Sequence, residues 1–185
     1  MRLAILLWMP MLLLAEVRVR VDTDKGAFVV ALDEKRAPGT VANFLRYADA
    51  GLYNGGKFHR AVTVQPDNQP NNTVKIEVIQ GSAVPTRWFP AIPLERTSQT
   101  GVKHVDGAIS MAREGPDTAT GDFFICIGAQ PELDFGGKRN KDGQGFAAFG
   151  RVVQGMDVVK QIQQAPVEAQ KLNPPIMIRK VERVK

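Results

Sequence analysis

Serine, histidine and aspartate side chains that could form a nucleophilic site lie close together in one stretch of this sequence. They are Ser110, His104 and Asp106. A hydrolase serine often sits in a Gly-x-Ser-x-Gly turn, and its partners usually come from separate segments of the chain. Ser110 lacks that turn, because Ala108 and Ala112 stand where the two glycines would be. The pattern therefore argues against a hydrolase.

Metal-binding and thiol chemistry have little support in the sequence. His59 and His104 are the two histidines and Cys126 is the one cysteine, with none of the paired spacings of a zinc site. Cys126 lies in an apolar run, which predicts a buried strand position and no group that would lower the thiol pKa. A single cysteine cannot form an intrachain disulfide. We expect no metal and no cofactor.

Two blocks of sequence carry a more specific pattern. The first is Phe58-His59-Arg60, followed downstream by Ile79-Gln80-Gly81. The second is Gly107–Ala112, with Gly115–Thr118 and Phe123-Phe124-Ile125. Together they resemble the active-site motifs of the cyclophilin family of peptidyl-prolyl cis-trans isomerases. The likeness extends to segments 40–44 and 149–152, and so spans nearly all of residues 17–184.

The resemblance implies an all-β fold, a closed eight-stranded antiparallel β-barrel capped by two α-helices. It also implies an outer groove that binds proline-containing segments of client proteins, with Arg60 as the catalytic side chain. The other positions that match substrate-binding residues of the family are His59, Val78, Gln80, Ala112, Arg113, Phe124, Leu133 and Phe146.

Each of these matched positions has an implied role. Phe124 and Leu133 would line the proline pocket, although either could be plain core, and Val78 and Phe146 would add to its floor. Gln80 and the backbone at Ala112 and Arg113 would bind substrate amides. We interpret His59 as a structural hydrogen-bonding residue beside the groove rather than a general base.

The chain departs from the family pattern at four places. A long segment, Ala61–Val78, replaces a short link and brings Glu77 and Val78 to the expected pocket floor. Glu132 stands where the family has Trp or Phe, which argues against cyclosporin binding. Phe146 replaces a His or Tyr, and Gly121-Asp122 replaces Ser-Gln.

These departures leave a second function open. If Glu77, Glu132 and the polar 65–73 loop fill or charge the pocket, the chain would be a non-catalytic proline-peptide-binding or chaperone module on the same fold.

The chemistry of X-Pro rotation suits an arginine. Amide resonance sets a barrier of about 18–20 kcal/mol, which the twisted geometry must overcome. As the bond twists, the prolyl nitrogen regains its lone pair, and a fixed cation can donate a hydrogen bond to it that grows only toward the transition state. A guanidinium stays charged at physiological pH and presents rigid donors.

Hydrophobic periodicity supplies the elements that would position these residues. Alternation over Glu16–Asp22 predicts a strand, paired in a hairpin with Ala27–Leu32. Helices are predicted from Thr40, which we expect to act as the N-cap, to Gly51, and again after Gly155. Further strands are predicted at 57–64, 74–80, 107–112, 122–128, 146–153 and 176–184.

Length and charge favour one soluble domain. A chain of 185 residues with 44% hydrophobic and 23% charged residues is typical of a single globular domain, here residues 16–185. Its net charge of +5 is scattered, and the small cluster Lys138–Lys141 is interpreted as solvated surface. We expect no nucleic-acid binding and a monomer.

The first 15 residues have the pattern of a secretory signal. Arg2 precedes an apolar stretch, 3–14, that is short for a membrane span, and Ala15 is a plausible last residue of the cleaved segment. The sequence predicts a periplasmic or otherwise exported protein without integral membrane association after cleavage. The alternative is a protein tethered by an uncleaved N-terminal segment.

Overall fold

The computed structural model describes residues 16–86 and 88–184, so the predicted signal at residues 1–15 lies outside the described part. The strands are β1 (Val17–Thr23), β2 (Gly26–Leu32), β3 (Lys57–Val62), β4 (Val78–Ser82), β5 (Ala108–Met111), β6 (Phe123–Cys126), β7 (Ala147–Gln154), β8 (Val167–Glu168) and β9 (Lys171–Arg183). The helices are α1 (Pro38–Asp49), α2 (Thr97–Thr100) and α3 (Met156–Gln163), with one 3₁₀ turn at Pro131–Leu133.

Eight of these strands form a closed antiparallel barrel. They follow one another in the order β1, β2, β7, β5, β6, β4, β3 and β9, and a β1–β9 pairing completes the ring. The two-residue strand β8 pairs only with the start of β9. The predicted eight-stranded barrel is therefore confirmed, and β8 and the short α2 are additions that the sequence did not predict.

Alternating side chains separate an inner core from a smaller outer cluster. On β6, Phe123 and Ile125 point into the main core, whereas Phe124 and Cys126 point outward. The outer cluster contains Val62, Ile76, Val78, Ala108, Phe124, Cys126 and Leu133, with Ala112 and Phe146 packed against it. Cys126 is completely buried there, as the sequence predicted, and burial raises its thiol pKa. The barrel thus carries an apolar layer on one outer face.

The two long helices close the barrel at the predicted places. Phe44 of α1 packs against Tyr53, Phe123 and Phe149, with ring centroids 5.0–5.6 Å apart. Val159 and Ile162 of α3 are fully buried in the same core. No helix in the described ranges, 16–86 and 88–184, has the length and apolar character that a membrane span requires.

The N-terminus of α1 is capped from a distant segment. We expected the side chain of Thr40 to cap this helix, and that expectation is wrong, because the helix starts at Pro38 and Thr40 lies inside its first turn. The Glu95 carboxylate instead accepts hydrogen bonds from the backbone N–H of Gly39 at 3.0 Å and of Thr40 at 2.7 Å. The Thr40 hydroxyl donates to the same carboxylate at 2.5 Å. The loop before α2 is thereby fixed to α1.

Candidate active site

A β-bulge at His59 turns Arg60 toward the outer face. The β3–β4 register shifts between Phe58, which pairs with Gly81, and Arg60, which pairs with Gln80. Phe58 and Ala61 both lie in the barrel core, so the extra residue of the bulge lets Arg60 face outward beside Val62. Gly81 is required opposite the bulge, because a Cβ there would lie 3.0 Å from the ring of Phe58.

The Arg60 guanidinium is held by two neutral amide side chains. Its Nε and Nη2 donate to Oε1 of Gln170 at 2.9 and 2.6 Å, and its Nη1 donates to Oε1 of Gln80 at 3.1 Å. Among the described residues no carboxylate forms an ion pair with it. Burial, and then the nearby positive charge of Arg139, lower the pKa of Arg60 from its usual value. The cation is therefore fixed in direction without being neutralised.

An apolar floor lies next to this cation. Phe124 is in register with Gln80 across β4 and β6, which places the ring beside the Arg60–Gln80 pair. Phe124 and Phe146 meet edge to face with centroids 5.2 Å apart, and the guanidinium carbon of Arg113 lies 5.1 Å from the Phe146 ring centre. Leu133, on the 3₁₀ turn, is almost fully buried in the same cluster.

These side chains surround one cavity of about 240 Å³, which we call the Arg60 cavity. Among the positions proposed from sequence it brings together Arg60, Val78, Gln80, Ala112, Arg113, Phe124, Leu133 and Phe146. Three further residues that the sequence did not identify also line it: Ile76, Arg139 and Asn140.

The groove continues beyond the cavity. A second depression of about 290 Å³ shares Gln80, Ala112 and Arg113 with the Arg60 cavity and adds Trp88 and Asp122 to its walls. A ligand longer than one residue can therefore pass along the outer face without leaving the concave surface.

His59 stands apart from the Arg60 cavity. It lines a third depression, of about 480 Å³, which shares Trp88 and Asp122 with the second one. Burial, followed by the positive charges of Lys57 and Arg60, lowers the pKa of His59. Two buried atoms at this depression have no hydrogen-bond partner in the described part of the chain, namely Nδ1 of His59 and Oδ1 of Asp122.

The two glutamates that could have charged the pocket do not line it. Glu77 alternates with Ile76 and Val78, and its Oε1 accepts long hydrogen bonds from Val64 N and Gln163 Nε2 at 3.4 and 3.5 Å. The expectation that Glu77 forms the floor is wrong, and Ile76 is there instead. Glu132 is also outside the lining, since its Oε2 accepts from Lys138 N at 2.7 Å.

The inserted segment forms a wall of the cavity and does not fill it. Gln69 lies at the centre of the inserted segment. It is 1% exposed, and its Nε2 donates to the carbonyls of Thr63 and Ile76 at 3.0 and 2.8 Å. Arg139 donates through Nη1 to Gln69 Oε1 at 3.1 Å and to Val74 O at 2.6 Å. The interpretation of 138–141 as solvated surface is thus wrong for Arg139, which the insertion holds at the cavity.

A buried hydrogen-bonded series of serine, histidine and aspartate lies behind the floor. His104 Nε2 lies 3.0 Å from Ser110 Oγ, and its Nδ1 lies 2.8 Å from Asp134 Oδ1. The aspartate is Asp134 and not Asp106, which accepts from Gly128 N instead. Ser110 is 0% exposed, so no substrate can reach it, and the series supports the fold.

One of the site residues that the sequence analysis did not identify could have been found from a sequence pattern. Ile76 shares the period-2 face of Val78 and Gln80, so strict alternation would have placed it at the pocket. Arg139 and Gln170 have no such signal, because both reach the site from loops far away in the sequence.

The chain is similar to known proteins in its family pattern, its sequence and its fold. The family described as "Cyclophilin type peptidyl-prolyl cis-trans isomerase/CLD" matches residues 18–183. Peptidyl-prolyl cis-trans isomerase A of Dickeya dadantii is 34% identical over 151 residues, which is 81% of this chain and 73% of the relative. Peptidyl-prolyl cis-trans isomerase B of Escherichia coli is 34% identical over 147 residues, or 78% and 82% of the two chains.

Solved structures agree on the fold. A cyclophilin type peptidyl-prolyl cis-trans isomerase from Cryptosporidium parvum superposes with a TM-score of 0.72 at 20% identity, over 92% of this chain and 99% of its own. A structure of that protein obtained in the presence of the dipeptide Ala-Pro gives a TM-score of 0.70 over 91% and 99%.

Proposed function

The chain belongs to the cyclophilin-type peptidyl-prolyl cis-trans isomerase family, and from this premise we propose that Arg60 is its principal catalytic side chain, acting on X-Pro bonds held in the Arg60 cavity. The protein is a peptidyl-prolyl isomerase, so it accelerates an exchange that otherwise takes roughly tens to hundreds of seconds. The single observation that carries the assignment of Arg60 is its fixed, unneutralised guanidinium beside the apolar floor of Phe124 and Leu133.

Arg60 keeps donors available for the substrate. Gln170 and Gln80 accept from three of its five N–H groups. The remaining donors can reach a prolyl nitrogen whose lone pair returns as the imide twists. This bond strengthens only on the way to the transition state, so it lowers the barrier rather than merely tightening substrate binding.

The apolar floor has two functions in this proposal. Phe124, Leu133 and Phe146 receive the pyrrolidine ring, which buries apolar surface and fixes the proline relative to Arg60. They also exclude water, and a charge in a drier site acts more strongly on a nearby lone pair. Ala-Pro, the dipeptide present with the Cryptosporidium parvum protein, is the kind of ligand this floor would accept.

Binding without catalysis is the weaker alternative. This alternative would need Glu77, Glu132 or the 65–73 loop to fill or charge the pocket. Neither glutamate lines the Arg60 cavity, and no residue of the loop does so. Arg60 instead keeps two neutral acceptors and no carboxylate partner among the described residues.

Isomerisation of a proline tetrapeptide by the purified protein tests the role of Arg60. We expect Arg60→Ala to lower kcat/KM by at least about tenfold, equivalent to about 1.4 kcal/mol of transition-state stabilisation. Arg20→Ala, which removes an exposed arginine from β1, is the matched control and should leave the rate unchanged. Equal rates for the Arg60→Ala variant and the unmodified protein would remove Arg60 from the mechanism.

We also propose that residues 1–15 direct export, on the basis of Arg2 and the apolar stretch that follows it. N-terminal sequencing of protein recovered from the exported fraction tests this proposal. A mature chain that starts near residue 16 supports it, and a chain that keeps residues 1–15 in the membrane fraction supports the tethered alternative.

A further inference from the structure

We propose that Arg139 makes this isomerase selective for segments that carry a carboxylate close to the proline. The inference rests on the proposed function of the Arg60 cavity and names the class of substrate that the cavity prefers. Three guanidiniums line the cavity, those of Arg60, Arg113 and Arg139, and none of the described residues that line it is an Asp or a Glu.

Among the described residues, only Arg113 of these three has a carboxylate that neutralises its charge. Arg113 forms two hydrogen bonds to the Asp142 carboxylate, at 2.8 and 3.1 Å, and its side chain is 1% exposed. Arg60 has amide partners alone, and Arg139 has an amide and a backbone carbonyl. Two positive charges therefore face one cavity without a counter-ion from the described residues.

The orientation of Arg139 suits it to receive a carboxylate. Both of its hydrogen bonds come from Nη1. Its Nε and Nη2 groups donate to none of the described residues, and these two donors form the edge of a guanidinium that binds a carboxylate with two parallel hydrogen bonds. The occupied nitrogen holds the group in place, and the open edge is available to a ligand.

Two loops hold this arginine at the site. The backbone N–H of Arg139 donates to Glu132 O at 3.2 Å, and the neighbouring Lys138 N donates to the Glu132 carboxylate. The side chain then contacts Gln69 and Val74 of the inserted segment. The insertion and Glu132, which are two of the chain's departures from its family, thus act together to bring a second cation to the cavity.

Arg139 is partly buried, and this makes its charge selective. Exposed ion pairs are screened by salt and contribute little, whereas a pair inside a cavity is screened less. A carboxylate on the bound segment would meet uncompensated positive charge on the Arg139 side, and a lysine in the same place would be repelled by both arginines. A neutral side chain would be neither attracted nor repelled.

The test measures cis-trans exchange by NMR in matched peptides, so that no coupling protease adds a preference of its own. Each peptide carries Glu, Gln or Lys directly before or directly after the proline, with blocked ends. We expect kcat/KM for the better Glu peptide to exceed that of its Gln counterpart by at least about fivefold, with the Lys peptide slowest. The ratio should fall as salt is added.

Variants assign the preference to Arg139. Arg139→Gln should reduce the Glu-to-Gln ratio to less than about twofold, and Arg139→Lys should keep an intermediate ratio because it retains the charge but not the two parallel donors. Lys141→Gln removes the same formal charge from the same loop outside the cavity lining, and should leave the ratio unchanged. A further pair of peptides that end shortly after the proline, with a free or an amidated C-terminus, shows whether a chain-terminal carboxylate is accepted as well.

The outcomes separate this inference from the proposed function. Turnover of all peptides at similar rates would overturn the selectivity and leave the isomerase assignment intact. A Glu preference that survives Arg139→Gln would assign the selectivity elsewhere, and an equal loss for Glu and Gln peptides would show that Arg139 is purely structural. Failure to accelerate any peptide would instead contradict the role of the cavity itself.

Discussion

The imidazole of His104 stacks on the ring of Phe124, with centroids 5.9 Å apart and planes 10° from parallel. Phe124 is the centre of the apolar floor, so its rear face rests on a histidine that is held by a hydrogen bond on each side. The series of Ser110, His104 and Asp134 has the residue types of a catalytic triad, yet its place behind the floor makes it a support. The position of the floor therefore depends on a buried polar group.

His104→Ala should therefore lower both stability and activity. The change opens a cavity behind Phe124 and leaves Ser110 without its histidine partner, so we expect a loss of at least about 2 kcal/mol in the free energy of unfolding. A less constrained Phe124 should also lower kcat/KM. Lys103→Ala is the control, because Lys103 forms only an exposed pair with Asp134 at 3.7 Å and should cost less than about 1 kcal/mol. Urea unfolding that gives both variants the same stability would contradict the support role.

Gln170 should act as a positioning residue for Arg60. Its single oxygen accepts two Arg60 hydrogen bonds, while its Nε2 donates to Asn68 O at 3.0 Å in the inserted segment. We expect Gln170→Ala to lower kcat about three- to tenfold with little change in KM, since the guanidinium would lose its orientation but not its charge. Steady-state exchange measurements over a range of substrate concentrations separate the two parameters.

Two further variants separate positioning by Gln170 from loss of structure. Gln170→Met keeps the length of the side chain but removes the amide oxygen that accepts from Arg60, so it should be about as slow as Gln170→Ala. Lys171→Ala alters the next residue, which is exposed, and should have no effect. If Gln170→Ala changed KM alone, or if the methionine variant were as active as the unmodified protein, the residue would not act by orienting Arg60.

Hydrophobic alternation predicted the strands because it is a local signal, and the resemblance implied the barrel that they form. The two adjacent phenylalanines show this well, because period-2 geometry sends one inward and one outward, and Phe123 and Phe124 follow that pattern. The resemblance then identified Arg60, Gln80 and Leu133, which the structure brings together in one cavity.

Other parts of the site depend on contacts that the sequence does not encode locally. Arg139 contacts Gln69 across 70 positions of sequence, and Gln170 contacts Arg60 across 110. The sequence shows that Arg139 is charged, but the inserted segment sets the orientation of its side chain. The place of Glu77 was predicted wrongly for a related reason, because the inserted segment obscures where the strand register resumes before β4.

Asp122 should make stability depend on pH. Burial raises its pKa to about 6, compared with about 3.9 for an unfolded chain. The folded state therefore binds this proton more tightly than the unfolded state, and its contribution to the free energy of unfolding falls as pH rises from about 4 to about 6.

Asp122→Asn should remove that dependence. We expect a gain of about 1 kcal/mol in the free energy of unfolding at pH 7.5, which is less than the full pKa shift implies because the carboxyl group is only partly buried. At pH 4 the two proteins should be equally stable, since Asp122 is then protonated and resembles Asn. Urea unfolding at both pH values measures the difference. A gain that is the same at pH 4 and pH 7.5 would show that ionisation of Asp122 is not its source.

Glu95 should stabilise helix α1 from outside the helix. Its carboxylate accepts from the amides of Gly39 and Thr40, which have no partner within the helix, and its negative charge lies at the positive end of the helix dipole. Glu95→Ala should therefore lower the free energy of unfolding by about 1–2 kcal/mol, as the loss of an N-cap does. Thr40→Val is the matched variant, because it removes the hydroxyl bond to Glu95 and keeps both amide bonds, so it should cost less. If urea unfolding ranked Thr40→Val as the more damaging change, the hydroxyl of Thr40, and not the distant carboxylate, would be the group that stabilises the start of the helix.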